Sequence, residues 1–186
     1  MKEPMERTEA LALLQSKVNT RNLVKHCLAC EAVLAALAVR FGEDEQAWRL
    51  AGLLHDLDYD QTADAPDVHG LPAAKMLEEQ GLDSGIVHAV LAHADKAPRE
   101  SRLDKALWCV DPLTGLIVAA ALIRPEKKLA AIDAQFVLNR MKEKSFARGA
   151  NRDQIKACEA ELDLPLEDFV AIGVTAMQTI SDDLGL

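Results

Sequence analysis

An all-α fold is predicted for this chain by three features of its composition and patterning. Aromatic residues make up only 4% of the 186 positions, and β-branched residues are thin beside Ala, Leu, Glu and Lys, which favours helix over sheet. Apolar residues recur at helical spacing in one segment after another. Gly, Pro and short polar side chains punctuate those segments at the places where helices start and stop. At this length a single domain spanning 1–186 with a substantial core is expected, divided into a core section over about 20–123 and C-terminal helices over about 131–186.

Taken in order, Thr8 is expected to cap a first helix whose apolar face carries Leu11, Leu13, Leu14 and Val18 and which ends near Asn19. Thr20 or Asn22 starts a long second helix with a broad apolar surface, stopping at Phe41-Gly42 and holding His26 in its first turns. A third helix runs from about Asp44 through Trp48, Leu50 and Leu53 into Leu54-His55-Asp56-Leu57-Asp58-Tyr59-Asp60. After a polar break over 61–66, Asp67 reads as an N-cap and His69-Gly70-Leu71-Pro72 opens a helix that stops at Gly81. Asp83 or Ser84 caps the next helix, with His88 inside it and His93 at its end. A charged loop over 94–99 follows. Ser101 and Asp104 then resemble a capping box and introduce the most apolar helix, over 103–123, where Pro112 removes a backbone donor and can kink the chain. The C-terminal section reads as helices over about 131–144 and 152–162, the latter capped by Asn151, and a last helix with Pro165 in its first turn.

The formal net charge of −9 argues against broad electrostatic attraction to a nucleic-acid polymer or an anionic membrane, so neither is expected as a partner. A small anionic phosphorylated substrate stays compatible, because a bound cation reverses the local field. No stretch reads as long and apolar enough to span a bilayer, and Met1-Lys2-Glu3-Pro4-Met5-Glu6-Arg7 is polar where a secretory signal needs an apolar core, so a cytoplasmic protein is expected. Cys27 and Cys30 form a C-x-x-C without a strand-to-helix context or a second pair, and with Cys109 and Cys158 they read as buried thiols. Assembly into a homo-oligomer is left open.

Two anomalies carry the chemistry. His55-Asp56 delivers an imidazole and a carboxylate from the end of an apolar helix, and Asp111 sits in the apolar run Leu107-Trp108-Cys109-Val110-Asp111-Pro112-Leu113, where an unpaired carboxylate would be costly and needs a cationic partner. With His26 they make the order H…HD…D on three predicted helices, which resembles the HD superfamily of metal-dependent phosphohydrolases. The fold that this resemblance implies is an HD-domain helical bundle, here with a helical C-terminal extension. Members that bind two metals place two further histidines before the last aspartate, and His69 and His93 stand in the corresponding positions. The resemblance implies that Asp56 bridges two ions, with His26, His55 and Asp111 on one and His69 and His93 on the other, while His88 stays at the surface or behind the ligands. A mononuclear site would use only His26, His55, Asp56 and Asp111.

Mixed nitrogen and oxygen donors suit divalent Fe, Mn, Co or Zn. Hydrolysis of a phosphate ester or anhydride of a small nucleotide-like metabolite by a metal-activated water is the expected activity, with Asp56 holding the metals and orienting the water, and Asp58 or Asp60 accepting a proton. Several relatives read H-D-x-x-K with a phosphate-binding lysine, whereas Tyr59 stands in that position here. Phosphate contacts are therefore expected from Lys96, Arg99, Lys25 or Arg148, the last within a basic segment that also contains Lys144 and Arg152. Neither a Walker A loop nor a G-Y-P signature is present. Two other classes use the same residues: a mixed-valence di-iron oxygenase, and a non-catalytic module that binds metal or a nucleotide.

Overall fold

The structure, a computed structural model, describes residues 5–186, so the first part of the polar N-terminal stretch lies outside it. Among the described residues the regular elements are all helical: α1 Arg7–Lys17, α2 Arg21–Phe41, α3 Glu45–Leu54, α4 Tyr59–Thr62, α5 Leu71–Gln80, α6 Ser84–His93, α7 Arg102–Leu122, α8 Ala134–Met141, α9 Arg152–Lys156, α10 Cys158–Leu162, α11 Leu166–Gln178 and α12 Ser181–Leu184. The expected all-α bundle is therefore the observed one.

Helices α2 and α7 form the spine. On one side α1, α3, α5 and α6 close over Cys27 of α2 through Leu14, Leu53, Leu54, Leu77 and Val90, all fully buried. On the other, the C-terminal helices pack Phe169, Val170 and Met177 against Leu113, Leu116 and Ile117 of α7. Each fully buried side chain of this size stabilises the fold by roughly 1.5–3 kcal/mol before entropy is counted. Buried Glu31 of α2 is held by Arg7 of α1 at 2.5 Å and Arg49 of α3 at 3.7 Å, so its charge is compensated where the three helices meet.

The approach of α2 to α3 is set by Gly52. A Cβ there would lie 2.8 Å from the backbone of Cys30 and Glu31, so any side chain would force the helices apart. His26 lies one turn before Cys30, and His55 follows Gly52 by three residues. This crossing therefore brings the two rings within reach.

Several sequence expectations are corrected. The first helix is capped by a Glu6–Glu9 box, not by Thr8. Asp67 caps nothing: α5 starts from Gly70 in the left-handed region (φ 85°), where a Cβ would also strike Ala94 at 2.8 Å. The segment over 131–144 begins with a 3-10 turn, Leu129–Ala131, before α8, which Asp133 caps, and the helix over 152–162 divides at Ala157. Pro112 does not interrupt α7. The carbonyl of Trp108, deprived of its partner by the proline, instead accepts from the Gln154 side-chain amide. Finally, Arg21–Phe41 and Arg102–Leu122 are long and apolar enough to cross a membrane by length and composition, contrary to expectation; here both are core helices, with more than half of each apolar stretch buried. The four cysteines are buried and free, and burial pushes Cys109 and Cys158 up to about 12.

Candidate metal centre

The chain leaves α3 at His55 and turns through Asp56, Leu57 and Asp58 before α4, all four residues being buried. This turn carries Asp56, 6% exposed, into the space between α2, α6, α7 and the loop before α5. Around it stand four imidazoles. Asp56 Oδ2 lies 3.5 Å from His55 Nε2 and 3.7 Å from His26 Nε2, while Oδ1 lies 3.3 Å from His69 Nε2 and 3.5 Å from His93 Nε2. Asp111 Oδ1 approaches His26 Nε2 at 3.1 Å. The structure thus gathers His26, His55, Asp56, His69, His93 and Asp111 into one cluster, split by the two oxygens of one carboxylate.

Each ring is oriented through its other nitrogen. His55 Nδ1 donates to the Gly52 carbonyl at 2.9 Å and His93 Nδ1 to the Val90 carbonyl at 2.5 Å. Carbonyls only accept, so these nitrogens carry the proton. His69 Nδ1 donates to Asp58 Oδ1 at 3.0 Å. Thr114 donates its hydroxyl to the Asp111 carbonyl and accepts from His26 Nδ1, each at 3.0 Å. With every Nδ1 committed, all four Nε2 lone pairs point inward. Those of His26 and His55 are 3.2 Å apart, as are those of His69 and His93, a repulsive contact unless a cation or proton lies between them. A metal ~2.1 Å from both nitrogens would subtend about 100° across that gap, near the angle a four-coordinate ion prefers. The donor set therefore fits a divalent transition metal, with its ring-orienting partners in place.

The electrostatics agree. Burial disfavours charge on the rings of His26, His55 and His69. It lowers His55 to about 4, while the carboxylates of Asp56 and Asp58 outweigh it at His69 and lift that ring to about 9. Burial would raise Asp56, but His55, His69, His93 and His26 around it hold it well below the usual carboxylate range. Cys30 places its sulfur 3.7 Å from His26 Nε2 and 3.8 Å from the Thr114 hydroxyl, and burial pushes its thiol up.

Other expected residues are placed differently. Asp58 is fully buried, and its Oδ2 accepts from the backbone of Gly70 and Ala73, so it caps α5 and steadies His69 with no oxygen left for a reacting proton. Asp60 accepts from Asn19 N and from Thr20 N and Oγ1, serving as a cap for α2. Arg99 lies 4.1 Å over the Trp108 ring and pairs with Asp95 at 2.5 Å, so its charge is already engaged. Lys25 donates to the Leu184 carbonyl, and Arg152 pins the loop before α9 through the carbonyls of Phe146, Ala147 and Ala150. Lys96 and Arg148 have no ion pair among the described residues. His88 pairs with buried Asp104 at 3.0 Å, away from the cluster. Asp111 is more open than its apolar neighbours suggest, its side chain being 35% exposed. Sequence reasoning missed Thr114, although a hydroxyl three residues after Asp111 on one helix face was a usable signal.

A family model described as HD domain matches residues 23–137. Ribonuclease Y of Oleidesulfovibrio alaskensis is 28% identical over 96 residues, covering 52% of this chain and 18% of that protein. Its counterpart in Desulfotalea psychrophila is 26% identical over 136 residues, 72% of this chain and 26% of that protein, and that of Chloroflexus aurantiacus 30% over 73 residues, 39% and 14%. The chain thus spans about a quarter or less of the length of these relatives. No solved structure matches it. The expectation that a nucleic-acid polymer is not a partner is overturned by these relatives, which are ribonucleases by name. Net charge summed over a whole chain does not describe the field at a cation-lined site, so it could not support that exclusion. The buried His-Asp turn, the converging imidazoles on an all-helical frame and the match over 23–137 lead to one conclusion: the chain belongs to the HD domain family.

Proposed function

We propose that the protein is a metal-dependent phosphohydrolase that holds two divalent cations and cleaves a phosphoester of ribonucleotide chemistry. The division of four Nε2 lone pairs between the two oxygens of Asp56 carries this reading. His26, His55, Asp111 and Asp56 Oδ2 would hold one ion, and His69, His93 and Asp56 Oδ1 the other. Imidazole and carboxylate donors without a thiolate suit Mn, Fe, Co or Zn. When bound, such a pair supplies Lewis acidity toward the attacking water and the phosphate oxygens.

The chain's own residues do the rest. Asp56 carries the negative charge shared by both halves, and its burial keeps bulk water from that side. Asp111, a third exposed, marks the side from which a phosphate enters. Lys96 and Arg148 are cations without an ion-pair partner among the described residues and can meet the remaining phosphate charge. Tyr59, 43% exposed and edge-on to His69, stands at the rim in the position where some relatives carry lysine.

The same six donors would serve a mixed-valence di-iron oxygenase, but the ribonuclease names of the relatives favour hydrolysis. The test is phosphoester turnover by protein loaded with manganese or cobalt, with and without oxygen, alongside elemental analysis. Metal-dependent turnover indifferent to oxygen is expected. Oxygen consumption without ester cleavage would overturn the reading.

A further inference from the structure

A cysteine shares the inner face of α2 with the first histidine of the cluster. Cys30 follows His26 by four residues, so the two side chains stand one helical turn apart on the same side. Cys30 is fully buried, and its sulfur lies 3.7 Å from His26 Nε2, 4.0 Å from Nδ1 of the same ring and 3.8 Å from the Thr114 hydroxyl. The contact with α3 brings a third donor. Gly52 lets the α3 backbone meet Cys30, and His55, tied through Nδ1 to the Gly52 carbonyl, turns its Nε2 into the same space. The sulfur and one ring nitrogen from each histidine all lie within 4.8 Å of one another.

Two features point to an ion and not to packing alone. The Nε2 lone pairs of His26 and of fully buried His55 face each other at 3.2 Å, which only a cation or a proton between them relieves. The sulfur extends that pair into a coordination geometry: an ion ~2.1 Å from nitrogen and ~2.3 Å from sulfur would subtend about 115° across the 3.7 Å gap, close to tetrahedral. Cys27, the other half of the C-x-x-C, lies instead in the apolar cluster with Leu14, Leu53 and Leu77. His26 Nε2 is also 3.1 Å from Asp111 Oδ1, so this ring has a carboxylate oxygen and a sulfur as alternative co-ligands.

We propose that His26, Cys30 and His55 form a second coordination set, which takes one sulfur-seeking divalent cation, zinc or its heavier congener cadmium, in place of the ion that the two rings would share with Asp111. Thiolate ranks ions differently from carboxylate: it selects zinc-like cations, whereas carboxylate suits manganese. Binding releases the thiol proton to solvent, and the thiolate then faces the cation where the protein is fully buried. Both sets need the same two imidazoles, so they exclude one another. A thiophilic ion therefore takes this half of the cluster and leaves His69 and His93 to their own. The choice between the two sets stands whatever reaction the cluster performs.

Cadmium is the probe, added to the metal-free full chain at one ion per chain. An ultraviolet sulfur-to-cadmium charge-transfer band is expected in the wild type and in Cys27→Ser, and should vanish in Cys30→Ser. Competition titrations should show the preference for cadmium over manganese falling at least ~10-fold in Cys30→Ser, the loss already usual when an outer partner of a ligand is removed. A band that survives in Cys30→Ser, or an unchanged preference, would overturn the assignment. Cadmium-edge X-ray absorption of the wild type decides the matter even if that variant does not fold. One sulfur with two imidazoles is expected; a shell of nitrogen and oxygen alone would overturn the proposal, as would two sulfurs without imidazole, which would put the ion at neighbouring Cys109 and Cys158.

Discussion

His26 and Asp111 stand on the two longest helices and His55 at the end of α3, whereas His69 stands in a loop and His93 is the last residue of a short helix. The first group is placed by packing: α2 and α3 touch at Gly52, and α7 is buried along most of its length. In the second, the loop carrying His69 is tied to the turn after α3 through Asp58, which accepts from His69 Nδ1 and from the amides of Gly70 and Ala73. A packed half resists the loss of a single polar atom, because dozens of apolar contacts still define it. A half that depends on one carboxylate does not.

The largest effect should come from the residue common to both halves. Asp56→Ala should reduce bound metal to background and lower turnover by at least ~10³-fold, as read by elemental analysis and steady-state kinetics. Metal at wild-type stoichiometry would show that Asp56 joins nothing.

A direct comparison follows from the two orienting groups. Asp58→Asn should weaken one of two ions by ~10–100-fold, leaving about one per chain after dialysis. Thr114→Val, which removes the partner of His26 Nδ1, should cost less than about tenfold, because helix packing still places the ring. Equal losses in metal titrations of the two variants would erase the distinction drawn here.

The pH dependence sharpens it further. In metal-free protein His69 is raised to about 9 from 6.5, so its stabilising contribution is complete below 6.5 and is lost as pH rises through about 9. Metal affinity moves in the opposite sense, since a proton competes for His69 below about 9. Thermal melts between pH 6.5 and 9 should therefore show the metal-free protein weakening as metal protection grows; a flat difference would refute the assignment. The smallest effect is expected at His88→Ala, which leaves metal content intact and costs about 1 kcal/mol through its lost bond to Asp104. Loss of an ion in that variant would mean that the second half has been drawn around the wrong histidine.

Much of this was legible in the sequence because helical periodicity and capping residues are local signals: Ser101 and Asn151 cap where they were read to, and of Asp83 and Ser84 it is Asp83 that caps α6. His55-Asp56 and Asp111 could be picked out because polar groups in apolar helices stand out against their surroundings, whereas His26, His69 and His93 gained their meaning from the resemblance to the HD superfamily. The partners of Asp58 and Asp60 could not, since each reaches backbone amides many residues away that no spacing rule connects. Arg99 looked free because its engagement with Trp108 depends on the loop's path. The apolar stretches of α2 and α7 were underestimated because His26 and Asp111 interrupt them. The exclusion of a polymer rested on net charge, a property of the whole surface and not of one cleft.

Asp58 has a consequence beyond geometry. One carboxylate holds both the inward-facing ring of His69 and the first amides of α5, so on the proposed two-ion reading opening that helix end and releasing an ion from His69 would be coupled into a single cooperative event. The amide hydrogen of Ala73 then becomes a reporter of occupancy: its exchange with solvent deuterium should slow as the ion binds, some distance from any atom that touches it.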